Sequence, residues 1–159
     1  MSSTSAHNIH FYSGLSGLQL PVPKYQFPSE FQKSSRLKYY STFFNSIEIN
    51  SSFYRIPQPR TVEKWARDVG ENFCFTFKLY RDITHAKGLE FRLADLEQFI
   101  TAIEQAGYKK GCLLIQFPPS LKKASFHALQ NLLQSLHDIH AAHNWKLALE
   151  FRDSGWYHE

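Results

Sequence analysis

Residues 43–88, FFNSIEINSSFYRIPQPRTVEKWARDVGENFCFTFKLYRDITHAKG, read as a strand, a helix and a second strand, and the rest of the chain repeats that unit. In Ser46-Ile47-Glu48-Ile49-Asn50, alternation places Ile47 and Ile49 on one face and Glu48 and Asn50 on the other. In the run from Phe73 to Leu79, Phe73, Phe75, Phe77 and Leu79 share a face, and Cys74, Thr76 and Lys78 oppose them. Between the strands, Pro59 suits a first helical position, Val62, Trp65, Ala66 and Val69 recur at helical spacing, and Gly70 provides the stop. That spacing predicts a Trp65 buried against the sheet. Two strands separated by one helix are expected to be parallel neighbours joined by a right-handed crossover.

Working outward towards the N-terminus, a helix is predicted from about Lys33 to Phe44, with Leu37, Tyr40 and Phe44 on one face. Ile9–Ser13 is a strand candidate closed by Gly14 and Gly17, followed by an irregular connection through Pro21, Pro23 and Pro28. Residues 1–8, MSSTSAHN, read as a flexible tail ahead of one domain over residues 9–159. Towards the C-terminus, the polar, turn-like YRDITHAKGLEF precedes a helix marked by Leu93, Leu96, Ile100 and Ile103 and ended by Gly107. Gly111–Phe117 is a continuous apolar run of the kind expected where both faces of a parallel strand are covered. A helix carrying Phe126, Leu129, Leu132, Leu133, Leu136 and Ile139 follows, then a strand from Trp145 to Arg152.

This alternation predicts an α/β protein with a parallel sheet. Two architectures compete, an open doubly wound sheet and a (β/α) barrel. The polar strand-end residues separate them, because Glu48, Asn50, Lys78, Gln116, Glu150 and Arg152 all oppose the large apolar residues. A barrel builds its site from inward residues at the C-terminal mouth. An open sheet with helices on both faces would bury those charges across its middle, which is costly without partners. The expectation is therefore a partial (β/α)8 TIM barrel of about five parallel strands and four helices. Such barrels typically take about 250 residues, and this chain has 159. An open sheet with a partly exposed inner face is predicted, prone to self-association or to completion by another chain through its edges.

Composition narrows the function classes. The chain is 43% hydrophobic, 20% charged and 16% aromatic, with a formal net charge of +4. Lys and Arg are scattered among acidic residues rather than gathered in a stripe with aromatics, so nucleic acid is not the expected partner. Cys74 and Cys112 fall inside apolar strand patterns, where a buried free thiol is the common case. A cytoplasmic, disulfide-free protein follows as the expectation. No window approaches the roughly 18 apolar residues of a membrane span, and no glycine-rich phosphate loop or nucleophile elbow follows any strand. The residues assign no cofactor.

The segments FNSIEINSSFYRIPQPRTVEKWA, FTFKLYRDITH, LLIQFPPSL and LALEFRDSGWY resemble, in order and spacing, motifs of the domain-of-unknown-function-72 (YecE-like) family of TIM-barrel proteins. The resemblance runs from about Ile9 to Tyr157. It implies a (β/α)8-type barrel and, as the family name states, no established activity. Members of that family look considerably longer than this chain.

Glu48, Lys78 and Glu150 are the candidate catalytic residues. Inward carboxylates at a barrel mouth can share a substrate or have their pKa values driven apart, and Lys78 can fix an anion or serve as an amine nucleophile. The structural alternative is an ion pair of the carboxylates with Lys78 or Arg152. Asn50, Tyr54, Arg55, His85, Gln116 and Arg152 are the candidate substrate-binding residues. Arg152 suits a carboxylate or phosphate, or else pairs with Glu150. His85 comes to notice through the ITH motif of the resemblance, and a loop histidine is otherwise commonly just solvated. A small polar or anionic ligand is the expected partner. A metal-dependent variant, isomerase- or nuclease-like, would hold a divalent cation between Glu48, Glu150 and His85, and a non-catalytic binding or assembly module is the remaining class. His137, His140 and His143 follow one another every three residues at a helix end, a spacing that rotates them around the helix instead of converging on a metal.

Overall fold

The computed structural model describes residues 11–158, so the expected tail at residues 1–8 lies outside the described residues. Five strands, β1 (Gly14–Ser16), β2 (Ser46–Ile49), β3 (Cys74–Lys78), β4 (Lys110–Phe117) and β5 (Lys146–Phe151), form one sheet in the order β1-β2-β3-β4-β5. Every neighbouring pair is parallel. A doubly wound sheet reverses its strand order at a switch point. This one does not, so right-handed crossovers carry all the connecting helices to the same face. Six α-helical segments are present among the described residues: α1 (Arg36–Tyr40), α2 (Ser51–Tyr54), α3 (Pro59–Asp68), α4 (Arg81–Thr84), α5 (Leu93–Ile103) and α6 (Phe126–Asp138).

The covered face is the one that alternation picked out. Ile47, Phe75, Phe77, Leu113, Ile115 and Phe117 are buried and join Leu37, Val62, Leu96, Ile100, Leu132 and Leu136 from the helices in one apolar cluster. The opposite face stays half-open, with Cys74, Thr76, Cys112, Leu114 and Ala148 only partly covered. The continuous apolar run of β4 is thus covered fully on one side only, and the two free cysteines are half-buried rather than buried. Leu149 shares the face of Ile115 by register, yet on the edge strand it is 39% exposed. No helix of the described residues is long and apolar enough to cross a membrane.

Several local expectations are corrected. Of the strand candidate Ile9–Ser13, Ile9 and His10 lie outside the described residues, and the strand itself begins at Gly14. Gly14 is a close approach rather than a stop, since a Cβ there would stand 2.1 Å from the Ser46 carbonyl oxygen. The helix expected from Lys33 to Phe44 is confined to α1, started by Ser35, whose side chain accepts from the Lys38 N–H. Trp65 is half-buried, packed against the edge of the core and lining a cavity of about 230 Å³ with Leu18, Leu37 and Ile47, while Val62 and Val69 are the buried members of that face. The three histidines do not share one helix either, because α6 ends at Asp138 and a 3-10 stretch, His140–Asn144, follows.

Tyr40 ties the edge strand down. Its ring is fully buried, its Oη accepts from the Leu15 N–H at 2.7 Å, and it donates to the Ser46 carbonyl at 2.9 Å. Tyr40→Phe leaves both backbone groups without that partner and should cost about 1–2 kcal/mol. Amide hydrogen exchange at Leu15 should accelerate accordingly; an unchanged rate there would show that β1 does not depend on the hydroxyl.

Candidate functional site

The polar strand-end residues meet in a cleft of about 440 Å³ on the half-open face. Register sets their levels. Ser16 pairs with Glu48, Lys78 with Leu114, and Gln116 with Glu150. Ile49 pairs with Phe77, which puts Asn50 beside Lys78 one residue later. The cleft thus crosses all five strands, with Lys78 on the central one. Of the candidate residues it brings together Glu48, Asn50, Tyr54, Lys78, Gln116, Glu150 and Arg152.

A directed chain of hydrogen bonds fixes the β1–β2 side. Asn50 Nδ2 donates to Ser16 Oγ at 2.5 Å, and Ser16 Oγ donates to Glu48 Oε1 at 2.8 Å. On the β4–β5 side, Gln116 is nearly buried and hydrogen-bonds the Glu150 carboxylate. Arg152 Nε donates to Glu150 Oε1 at 3.3 Å. These contacts hold the Glu150 pKa below the usual carboxylate value. The Gln116 hydrogen bond contributes most, and Arg152 and Lys78 add to it against the opposing effect of burial. Lys78 Nζ instead lies 4.6 Å from the centroid of the Phe53 ring, and it forms no ion pair among the described residues. Of the ion pairs weighed from the sequence, Glu150 with Arg152 forms and Glu150 with Lys78 does not.

Phe53 is carried by the single-turn α2, which a buried serine latches to the sheet. Ser52 Oγ lies 2.6 Å from the Ile49 carbonyl and 2.7 Å from the Lys78 carbonyl, so one hydroxyl proton serves the ends of both β2 and β3. Phe53 also meets the His85 ring edge-on at 5.0 Å. His85 closes α4 outside the cleft and lines a separate cavity of about 320 Å³ with Lys87, Ser120 and Ser125. Its Nδ1 lies 2.9 Å from the Thr84 hydroxyl. Desolvation, and then the cations Lys78, Arg81 and Arg152, push its pKa below the ordinary histidine value, which favours the neutral ring.

Arg55 also stands apart from the cleft. It is exposed and borders two lateral cavities with Ile56, Pro57 and Gln58. Glu48, Glu150 and His85 are not gathered as a cation site: among the described residues no three His, Cys, Asp or Glu side chains cluster closely enough to hold a metal ion. Sequence reasoning missed Ser16, Phe53 and Leu114. Phe53 sits next to Tyr54 in the quoted motif and was open to notice, whereas Ser16 required the correct start of β1.

Comparison with known proteins agrees with this architecture. Residues 12–159 match the family described as protein of unknown function DUF72. UPF0759 protein YunF of Bacillus subtilis (strain 168) is 30% identical over 140 residues, which cover 82% of this chain and 47% of YunF. UPF0759 protein YecE of Escherichia coli (strain K12) is 28% identical over 100 residues, covering 63% of this chain and 37% of YecE. A DUF72 family protein from Enterococcus faecalis V583 superposes with a TM-score of 0.65 at 24% identity, over 95% of this chain and 55% of that one. One from Thermotoga maritima MSB8 gives 0.64 at 25% identity, over 93% and 58%. The chain therefore spans about half the length, or less, of the curated relatives it matches. With the family matched from Tyr12 to Glu159 and the fold shared with two of its solved structures, the chain belongs to the DUF72 family.

Proposed function

We propose that the chain binds a small anionic molecule in the cleft at the C-terminal ends of its strands, with Lys78 as the anion contact. The observation that carries this is the unequal state of the two cleft cations. Arg152 is engaged by Glu150, while Lys78 lies over an aromatic ring with no carboxylate paired to it. An ammonium in that position gains from exchanging a ring face for a full negative charge. Glu150, held as an anion by Gln116 and Arg152, serves to orient the ligand. Glu48, held by the Ser16 hydroxyl on the β1–β2 side, faces the ligand from the other flank of the cleft.

The test is a thermal-shift series of the full chain with inorganic phosphate, small carboxylates and phosphate esters. A ligand at one hundred times its Kd should stabilise the native state by about 2.7 kcal/mol. Lys78→Met should abolish the shift and leave the ligand-free midpoint nearly unchanged. Failure of every anion to raise the midpoint, or a full shift in the variant, would overturn the assignment. We also place the protein in a reducing cytoplasm, supported by the two unpaired cysteines; recovery from a periplasmic or secreted fraction would contradict this.

A further inference from the structure

We infer that the ligand of this cleft is a hydroxylated acid, a small molecule with one carboxylate or phosphate flanked by hydroxyl groups; this rests on the anion-binding reading above. Donors and acceptors in the cleft are unequally committed. The Asn50 amide donates to Ser16, the Ser16 hydroxyl to Glu48, the Gln116 side chain bonds Glu150, and Arg152 Nε donates to Glu150. One Asn50 N–H, the Ser16 hydroxyl and the Arg152 Nε–H are thus directed at protein acceptors, and the outer guanidinium N–H groups of Arg152 stay available to a ligand anion beside Lys78. The carbonyl oxygens of Asn50 and Gln116 remain, together with the unfilled lone pairs of the two carboxylates, each of which offers about four acceptor sites. At the middle of this ring of acceptors stands one unpaired cation, Lys78.

A complementary ligand presents the reverse pattern, an anionic acceptor at its centre and neutral donors around it. Hydroxyl groups meet that need. A ligand ammonium finds one carboxylate without a cation, Glu48, which already accepts from Ser16, whereas the charge of Glu150 is matched by Arg152 and Asn50 and Gln116 are neutral acceptors, so most of the ring is met by hydroxyl groups. The aromatic residues at the rim point the same way. Phe53 and the exposed Tyr54, in edge contact at 5.1 Å, offer apolar surface against which the C–H groups of a polyol chain pack. The cleft volume of about 440 Å³ suits a molecule of this size.

Titration calorimetry of the full chain with matched probes tests the inference. Gluconate or sorbitol phosphate should bind at least about tenfold more tightly than hexanoate or inorganic phosphate, which keep the charge and lack the hydroxyls, and sorbitol should bind weakly. Asn50→Leu should weaken gluconate and leave hexanoate unchanged, while Lys78→Met should weaken both. Equal affinity for gluconate and hexanoate would overturn the ligand class and leave the anion site standing. Tighter binding of the zwitterion alanine would also overturn the class. If no anion binds at all, the ligand class and the anion site fall together.

Discussion

Phe77→Ala is expected to lower the unfolding free energy by about 3–5 kcal/mol. The Phe77 ring is fully buried on the central strand. It meets Trp145 edge-on at 5.7 Å and lies 5.9 Å from Phe75, so truncation opens a void bounded by other rings rather than by flexible chains. Native domains are stable by only about 5–15 kcal/mol in total, and the loss should appear as a large drop in the urea midpoint with an unchanged slope. The neighbouring residue supplies the contrast. Lys78 points to the opposite face, so Lys78→Met should abolish anion binding at little cost in stability. A Phe77→Ala variant destabilised by less than about 1 kcal/mol would mean that the helix-covered face collapses around the gap, contrary to the rigid aromatic packing described here.

Lys109→Met should cost about 2–3 kcal/mol, although it removes no apolar surface. Lys109 is 6% exposed, and its Nζ donates to the carbonyls of Ala66 at 2.5 Å and Val69 at 2.7 Å. Those carbonyls belong to the C-terminal end of α3, where no intrahelical donor is available and a cation is favoured by the helix dipole. Burial pushes the Lys109 pKa down, and this desolvation offsets part of the gain from the two charged hydrogen bonds. Methionine keeps the stem and removes the ammonium, leaving both carbonyls unsatisfied. Chemical denaturation measures the total, and faster amide exchange in the last turn of α3 localises it. Wild-type stability in this variant would show that the cap contributes nothing net.

How much of the site was readable from the chain depends on the range of the contacts that make it. Alternation within single strands placed Glu48, Lys78, Gln116 and Glu150 on the face opposite Phe75, Phe77 and Ile115, because a strand fixes the direction of each side chain from its own backbone. Arg55 and His85 escaped that logic, since both belong to connections. The resemblance drew attention to His85, and the structure places it behind Phe53, adjoining the cleft without lining it.

By itself, then, the sequence determined the parallel α/β order, the division of β2 to β4 into a core face and an opposite face, and the family. These rest on local periodicity and on Gly and Pro punctuation, which need no distant partner. The tertiary structure decided the start of β1, the single-turn helices α2 and α4 and the half-burial of Trp65. Each depends on a contact absent from local pattern: Gly14 against the Ser46 carbonyl, and Ser52 bonded to the Lys78 carbonyl 26 residues away. A four-residue helix has no periodicity to read and too few internal hydrogen bonds to form unaided. Its geometry, and with it the place of Phe53 beneath the Lys78 ammonium, is set by the strands on which it docks.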